Sequence, residues 1–308
     1  ELEASPDYDY SPMVAHCKSV QCSLLSEAAA SIPPTATKLL AMNEPNGNPN
    51  ACDDPTSKAC KKMCLPSVAA AMWPQFERLA AASSPPRLLG TPAPGGLWKG
   101  LGTRERPVPW LQEWVGNCTQ LYGAQGCRFD FVAVHYYECW GNTSASAEQA
   151  SVEMMSFLDS VYAIFKKPIW LTEFNCGDGS GPTANQPPAN HLRFMKAALP
   201  KLEAASNVVR YSWFFDEPGR VASLTSRVGD DPETGPLQLT ELGRYYDSYT
   251  HPAAALKGDD EGTSSPVTVS IDSSSSAFAV SDGGEAGLMI DMGCLGDGTD
   301  QNCPFAQP

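Results

Sequence analysis

The chain has 308 residues, enough to bury one large α/β core or two ordinary domains. Its 35 acidic residues against 21 basic ones give a formal charge of −14, which argues against a nucleic-acid partner, because phosphate binding needs clustered Lys and Arg. No apolar run approaches the ~20 residues that span a bilayer, whereas a neutral substrate such as a glycan is compatible with the charge.

Taken in chain order, apolar runs of strand length alternate with stretches of helical periodicity. The runs are Ser11–His16, Lys38–Asn43, Arg87–Thr91, Phe129–His135, Pro168–Glu173 and Val208–Phe214. They are apolar almost throughout, the pattern of parallel strands covered on both faces. Helices are expected over Leu65–Ala82, Trp110–Leu121, Ala147–Phe165 and Ala189–Ala205, with Pro74 and Pro200 kinking or shortening two of them. Such alternation predicts βαβ units in one parallel sheet.

A (β/α)8 barrel needs eight strands, and six runs are present. Glu1–Tyr10 is acidic, contains Pro and holds no further strand. The expectation is therefore an α/β chain, a TIM barrel lacking its first two strands, over residues 1–250. Residues 251–308 read as a low-complexity linker and disordered tail: His251–Gly262 is polar, Thr263–Ser276 is Ser-rich and Gly283–Pro308 is rich in Gly and Asp.

The 11 cysteines and two sequons, at Asn117 and Asn142, point to an oxidising compartment. The chain is expected to be a secreted glycoprotein, extracellular or in a cell wall. Cys52, Cys60 and Cys64 match no zinc spacing and are better read as disulfide partners near the loop after residue 44. Cys118 with Cys127, and Cys139 with Cys176, are further plausible pairs. No metal and no cofactor is expected.

Four of the six runs end in residues capable of chemistry. Glu44 stands between Asn43 and Pro45, and Glu173 closes the interior run Trp170-Leu171-Thr172. Two carboxylates delivered from two strand ends equip a glycosidase: one protonates the leaving oxygen while the other attacks the sugar or activates water. Asn43 can bond the substrate 2-hydroxyl. The alternative for Glu44 is an ordinary surface turn, since Asn, Pro and Gly cluster in Asn43–Asn50. For Glu173 it is a structural ion pair, although burying an unpaired charge is costly. His135, Tyr136 and Tyr137 close a further run. Trp213 offers an indole face for stacking on a pyranose, with plain core packing as its alternative.

Four segments together resemble glycoside hydrolase family 128. They are KLLAMNEPN over Lys38–Asn46, FDFVAVHYY over Phe129–Tyr137, IWLTEF over Ile169–Phe174 and RYSWF over Arg210–Phe214. The resemblance runs from about Tyr10 to Tyr249. It implies a (β/α)8 barrel of the retaining clan A, acting without a cofactor as an endo-β-1,3-glucanase. Glu44 would be the acid/base ending the fourth strand and Glu173 the nucleophile ending the seventh. Asn43 would bind the 2-hydroxyl, His135 and Tyr137 would line the subsite beside the nucleophile, and Trp213 would form its floor. Ionised Glu173 would keep Glu44 protonated until the glycosyl-enzyme forms. Ser11–His16 would match the family's third strand, so that the chain resembles an N-terminally truncated member. The expected partner is a β-glucan polysaccharide or oligosaccharide bound by a monomer. The competing readings are a clan A hydrolase of another β-glycan, a non-catalytic glycan-binding or cell-wall protein on a degenerate barrel, and a Cys-rich metal-binding protein.

Overall fold

Six of the predicted runs become six parallel strands, each shortened to the residues that pair. In the computed structural model, residues 11–14, 32–46, 65–95, 106–139, 143–177, 187–214, 218–228, 235–250 and 289–291 are described. The strands are β1 (Ser11–Met13), β2 (Lys38–Leu39), β3 (Leu88–Leu89), β4 (Val132–Tyr136), β5 (Ile169–Phe174) and β6 (Val208–Trp213). Ladders join β2 to β3 and β4 through β5 to β6, all parallel. Single parallel bridges, Met13 to Leu40 and Gly90 to Phe131, join β1 to β2 and β3 to β4. Spatial order therefore follows chain order, as in a string of βα units.

No closed barrel forms among the described residues. A ring requires the last strand to pair with the first, and six staves fall short of the eight that a TIM barrel uses. The outer edge of β1 is instead taken by a strand from the far end of the chain, β9 (Met289–Asp291), lying parallel to it. The expected disordered tail thus contains one paired segment; the rest of 251–308 lies outside the described residues, as do Cys52, Cys60 and Cys64.

Between strands run α1 (Pro66–Ala81), α2 (Pro107–Tyr122), α3 (Ser144–Phe165) and α4 (Pro188–Ala204). Three of them open on Pro at N1 or N2, where the missing N–H costs nothing. The fourth is opened by Thr143, whose hydroxyl accepts from Ser146 N at 3.1 Å while Ser146 Oγ accepts from Thr143 N. Pro74 and Pro200 do not end their helices. An interior Pro costs about 3 kcal/mol, yet the turn after Pro74 buries Phe76 and Leu79, each worth roughly 1.5–3 kcal/mol.

Sequence periodicity missed an antiparallel hairpin, β7 (Thr225–Arg227) with β8 (Leu237–Leu239), and the helix α5 (Glu241–Thr250). Strands of three residues are too short to show alternation.

Two apolar clusters mark the two faces of the sheet. The larger packs Leu39, Leu89, Val132, Val134, Tyr136, Leu171, Phe174 and Trp213 against helix residues such as Trp73, Trp114, Met154 and Phe194. The smaller, on the other face, comprises Met13, Leu40, Phe131 and Trp170. There the Phe131 and Trp170 rings stack at 4.1 Å, forming a floor on the concave side. Among the described residues the disulfides Cys118–Cys127 and Cys139–Cys176 brace the connections, both of them pairs the sequence suggested.

Candidate active site

On β4 strict alternation settles which residues meet. Val132, Val134 and Tyr136 join the helix-side core, so Phe131, His135 and Tyr137 face the concave side. On β5 the same alternation would fail: Trp170 belongs to the concave floor and Leu171 to the helix side, so period two would send Glu173 toward the helices. A bulge prevents this. Val134 pairs with Leu171, but the next partner of β4, His135, pairs with Glu173 and leaves Thr172 as the extra residue. Phe174 then returns to the helix side, and Glu173 comes to the concave face beside His135.

Glu44 arrives from beyond β2. Asn43 and Ala93 form a parallel bridge, with Glu44 N donating to Ala93 O at 2.8 Å and Ala93 N donating to Met42 O at 2.8 Å. Glu44 itself has φ +42°, in the left-handed region that costs a non-glycine residue roughly 1–3 kcal/mol. Such strain persists only where the surroundings over-determine it.

The two carboxylates converge on one ring nitrogen. His135 Nδ1 lies 3.0 Å from Glu44 Oε1 and 3.2 Å from Glu173 Oε2. The Tyr137 hydroxyl donates to Glu173 Oε2 as well. His135 is wholly buried, and Glu44, Tyr137 and Glu173 are each at most 7% exposed. Burial of two carboxylates is tolerable only because donors meet them. Glu44, His135 and Glu173 each offer one ligand atom within 4.8 Å of the others, the arrangement among the described residues that could also hold a metal ion.

The remaining predicted residues divide. Asn43 stands beside Glu44, its Oδ1 buried and without a hydrogen-bond partner among the described residues. Tyr136 points the other way: its hydroxyl donates to Ala150 O in α3 and its ring packs near Phe157 and Phe194, which burial accompanies with a raised pKa. Trp213 also lies on the helix side, edge-on to Phe174 and His191, with its indole N–H on Ala222 O at 2.9 Å. Neither is brought to the carboxylates: alternation along β4 sends Tyr136 to the helix side, and Trp213 reaches that side after β6 breaks step, Ile169 pairing with Val208 but Trp170 with Arg210. Phe214, the neighbour of Trp213, takes the concave position and meets the Tyr137 ring edge-on at 5.7 Å. That residue was not singled out in the sequence, and the parity of β6 could not have pointed to it, because Val208 and Tyr211 both lie on the helix side.

Behind the site, the Cys139–Cys176 disulfide ties together the segments leaving β4 and β5. His191, in the first turn of α4, accepts from Cys176 N at 3.3 Å through Nδ1. Desolvation lowers its pKa to about 4, so the ring is neutral and suited to accept.

Two buried carboxylates presented from separate strand ends of an α/β sheet, bridged by one imidazole, define the equipment of a glycoside hydrolase. The chain belongs to the glycosyl hydrolase catalytic core family, whose sequence profile matches residues 1–246. Among solved structures it is similar to a GH128 (subgroup II) endo-β-1,3-glucanase from Sorangium cellulosum, with 28% identity, TM-score 0.55 and coverage of 77% of this chain and 79% of that one. It is also similar to the GH128 (subgroup I) endo-β-1,3-glucanase from Amycolatopsis mediterranei in complex with laminaritriose, at 25% identity and TM-score 0.56, covering 80% and 85%. A GH128 (subgroup V) exo-β-1,3-glucanase from Cryptococcus neoformans shares the fold at 20% identity and TM-score 0.53, covering 80% of each chain. No curated protein sequence matches the chain.

Proposed function

We propose that the protein is a retaining endo-β-1,3-glucanase whose six parallel strands are staves of a (β/α)8 barrel. The observation that carries the reading is the pair Glu44 and Glu173 on one imidazole nitrogen, each offering a carboxylate oxygen within 4.8 Å of the other. So close an approach of two carboxylate oxygens suits the ~5–5.5 Å carboxyl separation of a double displacement.

The roles follow from the donors. Glu173 receives the Tyr137 hydroxyl, which favours its ionised form as nucleophile. It forms a bond to the anomeric carbon as the glycosidic C–O bond breaks and Glu44 gives its proton to the departing oxygen. A water then attacks the same carbon, passing a proton to Glu44 and releasing Glu173. Asn43 Oδ1, which has no hydrogen-bond partner among the described residues, would accept from the sugar 2-hydroxyl, a bond that strengthens as positive charge develops. Likeness to glucanases named for β-1,3-glucan, one of them solved with laminaritriose, supports the choice of linkage.

Glu44→Gln and Glu173→Gln are each expected to lower laminarin hydrolysis by at least about 10²–10⁴-fold, with product anomers in the parent protein retaining the β configuration by 1H NMR. Full activity in either variant, or inverted product, overturns the assignment. The enzyme would act outside the cell as a monomer, and the paired cysteines support its secretion. No helix among the described residues is long and apolar enough to cross a membrane.

A further inference from the structure

We infer that Asn46 and Gly95 form a clamp whose task is to set the position of the Glu44 carboxylate, an inference that rests on the acid/base role proposed for Glu44. The Asn46 side chain pairs with the backbone of Gly95 in both directions: Nδ2 donates to Gly95 O at 3.2 Å, and Oδ1 accepts from Gly95 N at 2.7 Å. The primary amide thus copies a backbone pairing one step beyond the Asn43–Ala93 bridge, where regular pairing has ended. Asn46 is 5% exposed, so both bonds are sheltered from water. Between these two attachments stands Glu44, in its left-handed conformation.

The clamp brings the Gly95 backbone against the carboxylate itself. A Cβ built on Gly95 would lie 2.7 Å from Glu44 Oε1, 2.9 Å from Cδ and 3.2 Å from Cγ. Glu44 Oε1 is the same atom that meets His135 Nδ1. Gly95 is therefore one wall of the slot in which the acid/base oxygen sits, and His135 is the other. Glycine is needed there for space, not for its backbone angles. The atoms a Cβ would strike are the far end of a flexible side chain, so an alanine is absorbed by moving the carboxylate while the fold stays intact. A displacement of about 1 Å is costly to a reacting group and cheap to the protein. Asn46 and Gly95 are thus positioning residues for the proton-transfer step.

The test is a comparison of two substrates. Laminarin has a poor leaving group and requires proton donation by Glu44. A 2,4-dinitrophenyl β-laminaribioside carries a leaving group stable as its anion, so forming the glycosyl-enzyme on Glu173 needs no proton. Gly95→Ala and Asn46→Ala are expected to lower kcat on laminarin about 10²-fold with KM little changed, to keep kcat/KM on the aryl glycoside within about tenfold, and to leave the thermal midpoint unmoved in Gly95→Ala. Azide, an anionic nucleophile needing no base, is expected to restore turnover of the aryl glycoside by displacing Glu173 as a glycosyl azide. Equal losses on both substrates, or no loss on either, overturn the inference. The side-chain 15N resonances of His135 give an arm independent of glucan chemistry: they are expected to shift in Gly95→Ala, and unchanged resonances overturn the clamp. If the parent protein cleaves neither substrate while those resonances shift, the clamp stands and the glucanase reading falls.

Discussion

The strands β4, β5 and β6 are five or six residues long and pair along most of their length. Strands β1, β2 and β3 are two or three residues long and are held to their neighbours partly by single bridges. Each half presents one of the two carboxylates. Glu173 comes from within a ladder, re-aimed by a bulge and met by Tyr137 from the adjoining strand. Glu44 comes from beyond the end of β2, where backbone pairing has run down to the Asn43–Ala93 bridge, and side-chain bonds continue what the ladder does not. Regular structure and a polar clamp are two routes to the same outcome, a carboxylate fixed against one imidazole nitrogen.

The sharpest probe of the long-strand half is Tyr137→Phe. It removes the hydroxyl donated to Glu173 while the ring can keep its edge-on contacts with His135 and Phe214. By analogy with loss of one donor to a developing charge, kcat on β-1,3-glucan is expected to fall roughly 10²–10³-fold, about 3–4 kcal/mol, in steady-state assays with unchanged melting. A smaller loss than that of Gly95→Ala would mean that the ladder alone suffices to place Glu173.

Acid is expected to act on the same half through His191. Folded, the ring is neutral with its pKa lowered by burial to about 4, against an ordinary value near 6.5. Between those pH values the unfolded chain binds a proton that the folded chain refuses. Stability is therefore complete above about pH 6.5 and falls as pH drops toward 4, by roughly 3 kcal/mol in all. Urea unfolding across that range measures it, and His191→Gln, which keeps an acceptor but does not titrate, should flatten the slope. Hydrogen exchange sharpens the comparison: amides around Ile169–Cys176 should lose protection on acidification before those around Lys38–Glu44 do.

How far the sequence disclosed this arrangement follows from the range of the forces involved. The apolar runs located all six parallel strands, and alternation along them is a local property. Glu44, Glu173, His135 and Tyr137 were legible because each closes such a run. What alternation could not disclose is where it breaks: the extra residue Thr172 reverses the face of Glu173, and nothing in Trp-Leu-Thr-Glu-Phe announces a bulge. Trp213 was assigned to the substrate by its chemistry, whereas it lies on the helix side and Phe214 meets Tyr137, through a register shift in β6 that the sequence does not announce. The Asn46–Gly95 pair spans 49 residues and has no periodic signature at all. Pairing of β9 with β1 likewise joins opposite ends of the chain.

Gly90 offers the smallest but most selective disturbance of the short-strand half. A Cβ there would lie 2.5 Å from Phe131 Cε2 and 2.8 Å from Cζ. Unlike the carboxylate facing Gly95, this ring cannot swing aside, because it stacks on Trp170 and Trp170 in turn lies under the Arg210 guanidinium at 4.8 Å. Gly90→Ala therefore overpacks the concave floor at the Gly90–Phe131 bridge, which joins β3 to β4. Overpacking of this kind is expected to cost about 1–2 kcal/mol in urea unfolding. If the two halves are as unequal as their ladders suggest, protection from hydrogen exchange should fall in Lys38–Glu44 and Leu88–Ala93 while Val132–Tyr136 and Ile169–Phe174 hold. A uniform loss across all six strands would show instead that single bridges couple the sheet as firmly as full ladders do.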